Sequence, residues 1–253
     1  MKLKVLSFNL RVNSEKDGIN MFENRKERVI DAIRKHSPDL IGFQEATDRM
    51  LAFLRNTLTE YTFIGCGRNP DLHGERVPLA FKTDCFEMIR SECFWLSPTP
   101  SVPGSRYEDQ SNCPRVTTTA LLSHKDATAP FLFINTHLDH KSSSARLLGA
   151  KQLIDHICSH CEPFVMTGDF NALPDTDEIT VFTSHPRFTD VTAELGGTFH
   201  GFGRYSPNEM RKIDYIFTDM TADQKEAFTL ADTPQNGVYT SDHLAVCAFV
   251  DIR

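Results

Sequence analysis

Short apolar runs that stop abruptly on polar residues recur along this chain, separated by stretches of helical periodicity. Lys2 to Leu10 alternates into Val5-Leu6-Ser7-Phe8 and ends at Asn9, which predicts a strand. Met21, Phe22, Val29, Ile30 and Ile33 then recur at helical spacing among Arg, Lys and Glu, and Pro38 follows the stop at His36-Ser37. Asp39 to Glu45 returns as a buried strand ending on Gln44-Glu45. A strand, helix and strand in this order predict parallel neighbours, with Asn9 and Glu45 at the same end. The next elements expected are a helix over Thr47–Leu58, a strand over Tyr61–Gly65 and a strand pair at Val77–Phe81 and Cys85–Ile89. Glu92–Leu96 reads as a short extension. Arg115–Leu122 and Phe131–Thr136 look like adjacent strands, and the second delivers His137, Asp139 and His140 at its end. A helical pattern over Ala145–Cys161 leads into Phe164-Val165-Met166-Thr167-Gly168, which opens on Asp169-Phe170-Asn171. Pro174 and an acidic loop follow, then short segments at Phe188–Val191 and Thr198–Phe199. Ile213–Phe217 carries Asp214, and Asp242-His243 precede a closing strand, Leu244–Val250.

Three polar loops interrupt this pattern. Gly67 to Arg76 is rich in turn formers. Ser97 to Pro114 holds four prolines and a glycine, and a connection that long inside a compact domain usually carries function. His200 to Lys212 is the third. Together with Arg115 they contribute Arg68, Arg76, Arg106, Arg204, Arg211 and Lys212, a local set of cations suited to an anionic substrate.

Length and composition narrow the class. The 253 residues suffice for one sizeable core, without repeat, low-complexity tract or linker, so a single domain over 1–253 is expected. The first apolar run is too short for the core of a signal peptide, and no window approaches a membrane span, so a cytoplasmic protein without stable membrane association is expected. Seven cysteines without a framework spacing suit a reducing compartment. The net charge of −7 argues against a protein devoted to long duplex nucleic acid, whose affinity comes from Lys and Arg neutralising phosphates.

The chemistry sits where strands end. Asn9, Glu45, His137, Asp169, Asn171, Asp214, Asp242 and His243 all emerge from or beside such ends. Four carboxylates brought together in a low-dielectric pocket repel, which implies a cation or a shared proton. Hard oxygen ligands favour magnesium, or manganese. The two histidines add groups that stabilise or transfer charge, which a purely structural cation site would not need. Each residue also has a plainer account: Asp and Asn bond their own backbone in turns, Asp242 suits a cap, Asp139 and His140 suit a solvated loop, and Arg11 suits exposure. Cys158-Ser159-His160-Cys161, with His156 one helical turn earlier, hints at zinc, but one Cys-x-x-Cys without a second pair more often packs a helix end.

The order Ser-Phe-Asn9, Gln-Glu45, Asn-Thr-His137, Gly-Asp169-Phe-Asn171, Ile-Asp214-Tyr and Ser-Asp242-His243 resembles the endonuclease/exonuclease/phosphatase superfamily of metal-dependent phosphoesterases. Gly74-Glu75, Phe94-Trp95-Leu96-Ser97 and Pro114-Arg115-Val116-Thr117 resemble its compact bacterial members. The resemblance implies a DNase I-like, four-layer α/β sandwich, two mixed β-sheets packed together with helices outside. It also implies hydrolysis of a phosphodiester or phosphomonoester by in-line attack of water. Glu45 is then expected to hold the metal, with Asn9 and Asp242 beside it. Asp169 would activate the water and Asn171 hold it. His243, oriented by Asp214, would face the scissile phosphate, His137 would donate to the phosphoryl oxygens, and Arg115 would clamp the phosphate. The expected partner is a phosphate ester, nucleic acid or small metabolite. Two alternatives are a non-catalytic binder of a phosphorylated partner and a lipid-directed, sphingomyelinase-like or phosphoinositide esterase.

Overall fold

The computed structural model describes residues 1–252. Twelve strands and four α-helices follow one another as β1 (Lys2–Asn9), α1 (Phe22–His36), β2 (Leu40–Gln44), α2 (Asp48–Thr57), β3 (Tyr61–Ile64), β4 (Leu79–Lys82), β5 (Phe86–Trp95), β6 (Val116–His124), β7 (Phe131–His137), α3 (Ser143–Cys158), β8 (Phe164–Asp169), α4 (Asp177–Thr183), β9 (Thr189–Asp190), β10 (Asp214–Thr218), β11 (Phe228–Thr229) and β12 (Val246–Asp251). They form two mixed six-stranded sheets, ordered β11-β12-β1-β2-β4-β3 and β5-β6-β7-β8-β10-β9. The parallel pairs are β1 with β2 and β7 with β8.

Side-chain alternation explains the four layers. On β1, Leu3 and Val5 face the other sheet while Leu6 and Phe8 face α1 and α2. On β7, Phe131 and Phe133 face inward while Leu132 and Ile134 face α3. The inter-sheet core also takes Leu40, Val165, Ile216, Val246, Ala248 and Val250. Followed towards one edge, these inner rows turn polar: Val5 gives way to Ser7 and Asn9, Leu40 to Gly42 and Gln44, Phe133 to Asn135 and His137, Val165 to Thr167 and Asp169. The same period that buries the core thus aims the polar residues between the sheets at a single edge.

A buried polar network joins the sheets just below that edge. Gln44 Nε2 donates to Asn135 Oδ1 at 2.7 Å, Thr167 Oγ1 donates to the same oxygen at 3.1 Å, and Asn135 Nδ2 donates to the Phe43 carbonyl at 2.6 Å. Gly42 makes this approach possible, because a Cβ there would lie 1.9 Å from Thr167 Oγ1.

Several sequence expectations are corrected. Val77–Phe81 and Cys85–Ile89 do not pair: β4 lies in one sheet and β5 in the other. Cys85–Ile89 and Glu92–Leu96 are parts of one strand, β5, interrupted by a register shift between Met88 and Arg90. The acidic stretch after Pro174 holds α4, a helix of 7 residues whose pattern is too short to announce itself. Thr198–Phe199 forms isolated bridges to Arg211 and His243 rather than a strand. No helix among the described residues is long and apolar enough to cross a membrane.

Candidate active site

The polar edge opens into a cleft of about 270 Å³ lined by Arg11, Glu45, Arg68, Glu75, Arg115, His137, His140, Asp169, Asn171, Phe199, Arg211, Asp242 and His243, among others. Three chain segments turn into it through the left-handed region: Arg11 after β1 (φ 55°), Glu45 after β2 (φ 60°) and Asn171 after β8 (φ 50°). For Arg and Glu that conformation is strained, and side-chain bonds hold it. Glu45 Oε2 accepts from the Val12 amide at 2.8 Å, and Asn9 Oδ1 accepts from the Arg11 amide at 2.9 Å.

Asn9 bridges the sheets. Its Nδ2 donates to Asp169 Oδ2 at 2.9 Å and lies 3.4 Å from Glu45 Oε1. The other Asp169 oxygen accepts from the Asn171 amide at 2.9 Å. Antiparallel pairing sets Asp214 opposite Asp169 in register, and Asp214 Oδ2 accepts from His243 Nδ1 at 2.9 Å and from Thr198 Oγ1 at 2.5 Å. His243 Nε2 is left 3.8 Å from Asp169 Oδ2 and 4.0 Å from Asp242 Oδ1. The Phe199 ring packs edge-on against the imidazole, centroids 4.9 Å apart. Asp242 is anchored through its carbonyl, which accepts from the His200 and Gly201 amides at 3.0 Å each. Its carboxylate faces Arg11 Nε at 3.8 Å.

Charge follows from this arrangement. Burial raises the Asp169 carboxyl, reinforced by Asp214, and burial raises Asp242 as well. Burial opposes the charged form of His243, yet Asp214, Asp169 and Asp242 outweigh it and push the imidazole up to about 10. These carboxylates thus favour the charged imidazolium of His243. His137 goes the other way: burial, then Arg115, hold it well below the usual histidine range.

The eight strand-end residues read from the sequence are brought together, and one expectation about a neighbouring residue changes. Asn171 Nδ2 donates to the Leu138 carbonyl at 3.2 Å, which fixes its amide, and it faces His137 Nε2 at 3.0 Å. His137 Nε2 thus lies against the Asn171 amide beside the cleft. Asp139 does not lie in a solvated loop. It is buried, accepts from the Lys141 and Ser142 amides at 3.0 and 2.9 Å and from Ser111 Oγ, and lies 3.6 Å from Arg115 Nε. Arg115 is itself 4% exposed, contacts His140 Nδ1 at 2.9 Å, and keeps a buried Nε without a hydrogen-bond partner beside the cleft.

Of the loop cations, Arg68 and Arg211 line the cleft. Arg68 is held by Glu75 at 2.6 Å and Arg211 lies over the Phe199 ring at 5.1 Å. Lys212 is buried in a pair with Asp190 at 2.9 Å and Arg76 pairs with Asp48, so neither is free for substrate. Glu75, whose carboxyl burial raises, is a cleft residue that strand-end reasoning missed, whereas His140, expected at the end of the β7 run, does line the cleft. Glu75 sits where the Gly67–Arg76 loop bridges back to Ala46, a pairing invisible to periodicity. Phe199 walls the cleft, whereas Phe202 turns away towards Tyr239.

The donor set suits a hard divalent ion. Asp169, Asp214 and His243 each offer an atom within 4.8 Å of the others, and Asp242 and Glu45 face the same space, a density of carboxylate that Arg11 and His243 alone do not neutralise.

The two-sheet sandwich and its edge cleft are those of DNase I-like phosphoesterases. The sequence signature of the Endonuclease/Exonuclease/phosphatase family matches residues 6–243, and the chain belongs to that family, whose members are phosphoesterases. It is similar to a solved endonuclease/exonuclease/phosphatase from Bacteroides vulgatus, with 29% identity, full coverage of both chains and a TM-score of 0.90. It is also similar to a mannosyl-6-phosphatase from Bacteroides thetaiotaomicron, with 28% identity, a TM-score of 0.89, and 98% and 100% of the two chains covered. An uncharacterized protein of Acanthamoeba polyphaga mimivirus is 26% identical over 191 residues, which cover 71% of this chain and 69% of that one.

Proposed function

We propose that this protein is a magnesium-dependent phosphoesterase that hydrolyses a small phosphorylated metabolite by in-line attack of water, with manganese able to substitute. The observation that carries this is the convergence of Asn9, Glu45, Asp169, Asn171, Asp214, Asp242 and His243 at one edge of the sandwich, with the His243 imidazole set among carboxylates.

Glu45, Asn9 and Asp242 would hold the ion, which when bound supplies Lewis-acid polarisation of a phosphate oxygen and of the leaving group. Asp169, its carboxyl raised by burial, takes the proton of the attacking water, and Asn171 fixes that water opposite the leaving oxygen. His243 donates from Nε2 to a phosphoryl oxygen as charge grows there, while Asp214 on Nδ1 fixes its tautomer and keeps it charged. Arg115 and Arg68 bind the remaining oxygens or the body of the substrate.

A few separate arginines around the cleft, on a chain of net charge −7, favour a small or single-stranded substrate over a duplex. Likeness to the mannosyl-6-phosphatase makes a hexose phosphate a sensible first candidate. The test is hydrolysis of mannose 6-phosphate, p-nitrophenyl phosphate, bis-p-nitrophenyl phosphate and single-stranded DNA and RNA, with magnesium, manganese or chelator. Metal-dependent turnover that Asp169→Asn abolishes is expected. Full activity of that variant, or turnover indifferent to chelator, would sink the proposal.

A further inference from the structure

The far end of α3 carries a second cluster of ligand atoms. The helix spans 16 residues, about 24 Å at 1.5 Å per residue, and its first turn lies beside Asp139 and the cleft. At its other end His156, in the last turn, and His160, two residues past the helix, meet Glu92 of β5. One ligand atom from each lies within 4.8 Å of the other two. None of the three lines the catalytic cleft.

The detail of the cluster suits a borderline-soft ion. His160 Nδ1 donates to the His156 carbonyl at 2.8 Å, which fixes the proton on that nitrogen and leaves the Nε2 lone pair outward, as ligating histidines are commonly held. His156 is pinned against the Phe94 ring, centroids 4.6 Å apart. Its Nε2 is buried without a hydrogen-bond partner and faces Glu92 Oε1 at 3.5 Å. That spacing is close to the edge of a tetrahedron built on metal–nitrogen and metal–oxygen bonds of about 2.0–2.1 Å, roughly 3.3 Å. Two imidazoles plus one carboxylate match zinc or a neighbouring late first-row ion rather than magnesium. Cys158 does not belong to the cluster: its thiol faces His185 Nε2 at 3.7 Å.

We propose that Glu92, His156 and His160 form a zinc-type site, separate from the catalytic centre, that clamps the end of α3 to the edge strand β5. Water completes the coordination.

The test is zinc titration of the full-length protein against a chromogenic chelator in excess magnesium, which keeps the catalytic carboxylates occupied. His160→Gln and Glu92→Gln are expected to weaken one zinc equivalent by more than about tenfold, as losing a ligand should if losing its supporting partner alone costs 10–100-fold. Cys158→Ser/Cys161→Ser and Asp242→Asn are expected to leave that equivalent intact. Zinc is expected to raise the melting temperature of the wild type but not of His160→Gln, and circular dichroism without zinc shows whether each variant folds. Unchanged zinc affinity in folded His160→Gln, or loss of the equivalent in the cysteine variant, would overturn the proposal.

Discussion

At the scale of single residues the site works by pairing groups whose environments push their proton affinities apart. Asp214 does not touch substrate in this reading, yet it sets the charge of His243 through a 2.9 Å bond. Asp214→Asn is expected to lower kcat by roughly 10²–10⁴, the range spanned by general acid–base groups. The sign of its pH effect follows as well. With Asp214 present the imidazolium persists up to about 10; without it the proton leaves at lower pH, so the alkaline fall in kcat/KM should move towards neutrality. A profile with an unmoved alkaline limb would show that His243 is not the charged donor. Asp139 gives a stability counterpart. Burial works against its charge, but Ser111, the Ser142 and Lys141 amides and Arg115 prevail and hold its carboxyl down to about 2. A depressed carboxyl contributes stability that is fully present above the unfolded value near 4 and lost as pH falls towards 2. Asp139→Asn should cost about 2 kcal/mol at neutral pH and flatten denaturant-measured stability between about pH 4 and 2.

At the scale of elements, what decides the geometry is the close approach of the two sheets at Gly42, Asn135 and Thr167. Gly42→Ala should destabilise by about 1–3 kcal/mol, the usual cost of overpacking, because its Cβ meets Thr167 Oγ1 and lies 2.7 Å from Asn135 Oδ1. Thr167→Ala added to it should return part of that loss, the Asn135 contact remaining, and urea unfolding of the two variants checks both. This contact also shows where the sequence was legible. The inward parity of Asn9, His137 and Asp169 could be read from period-2 alternation, because each strand's own pattern states which face is buried. Which sheet a strand joins is a long-range property, so β4 and β5, adjacent in sequence, looked like a pair although they belong to different sheets. Glu75 reaches the cleft through irregular backbone that has no period to read. Asp139 looked like a loop residue because its partners, Ser111 and Arg115, lie 28 and 24 positions away in sequence.

At the scale of the whole molecule, folding gathers Glu45, Asp169 and Asp242 into one cleft, with Asp214 buried behind His243, on a chain already at −7. Repulsion among them opposes the folded state, and burial has already raised two of the four. A divalent ion that binds only the folded form reverses this and stabilises by linkage, about 2.7 kcal/mol at a hundredfold excess over its dissociation constant. For a chain of this size each kcal/mol is worth about 2–4 °C, so saturating magnesium should raise the melting temperature by several degrees, and chelator should remove the gain without unfolding the protein. Glu45→Gln separates this from a general salt effect. It keeps an oxygen to accept from the Val12 amide but deletes one repelling charge and the ligand proposed above, so it should melt no lower than the wild type without metal and gain little from magnesium. Calorimetry with magnesium, with chelator and with sodium chloride at matched ionic strength reads all three effects. A Glu45→Gln protein that gained as much from magnesium as the wild type would move the ion away from Glu45, leaving Asp169, Asp214 and His243 as the group to test next.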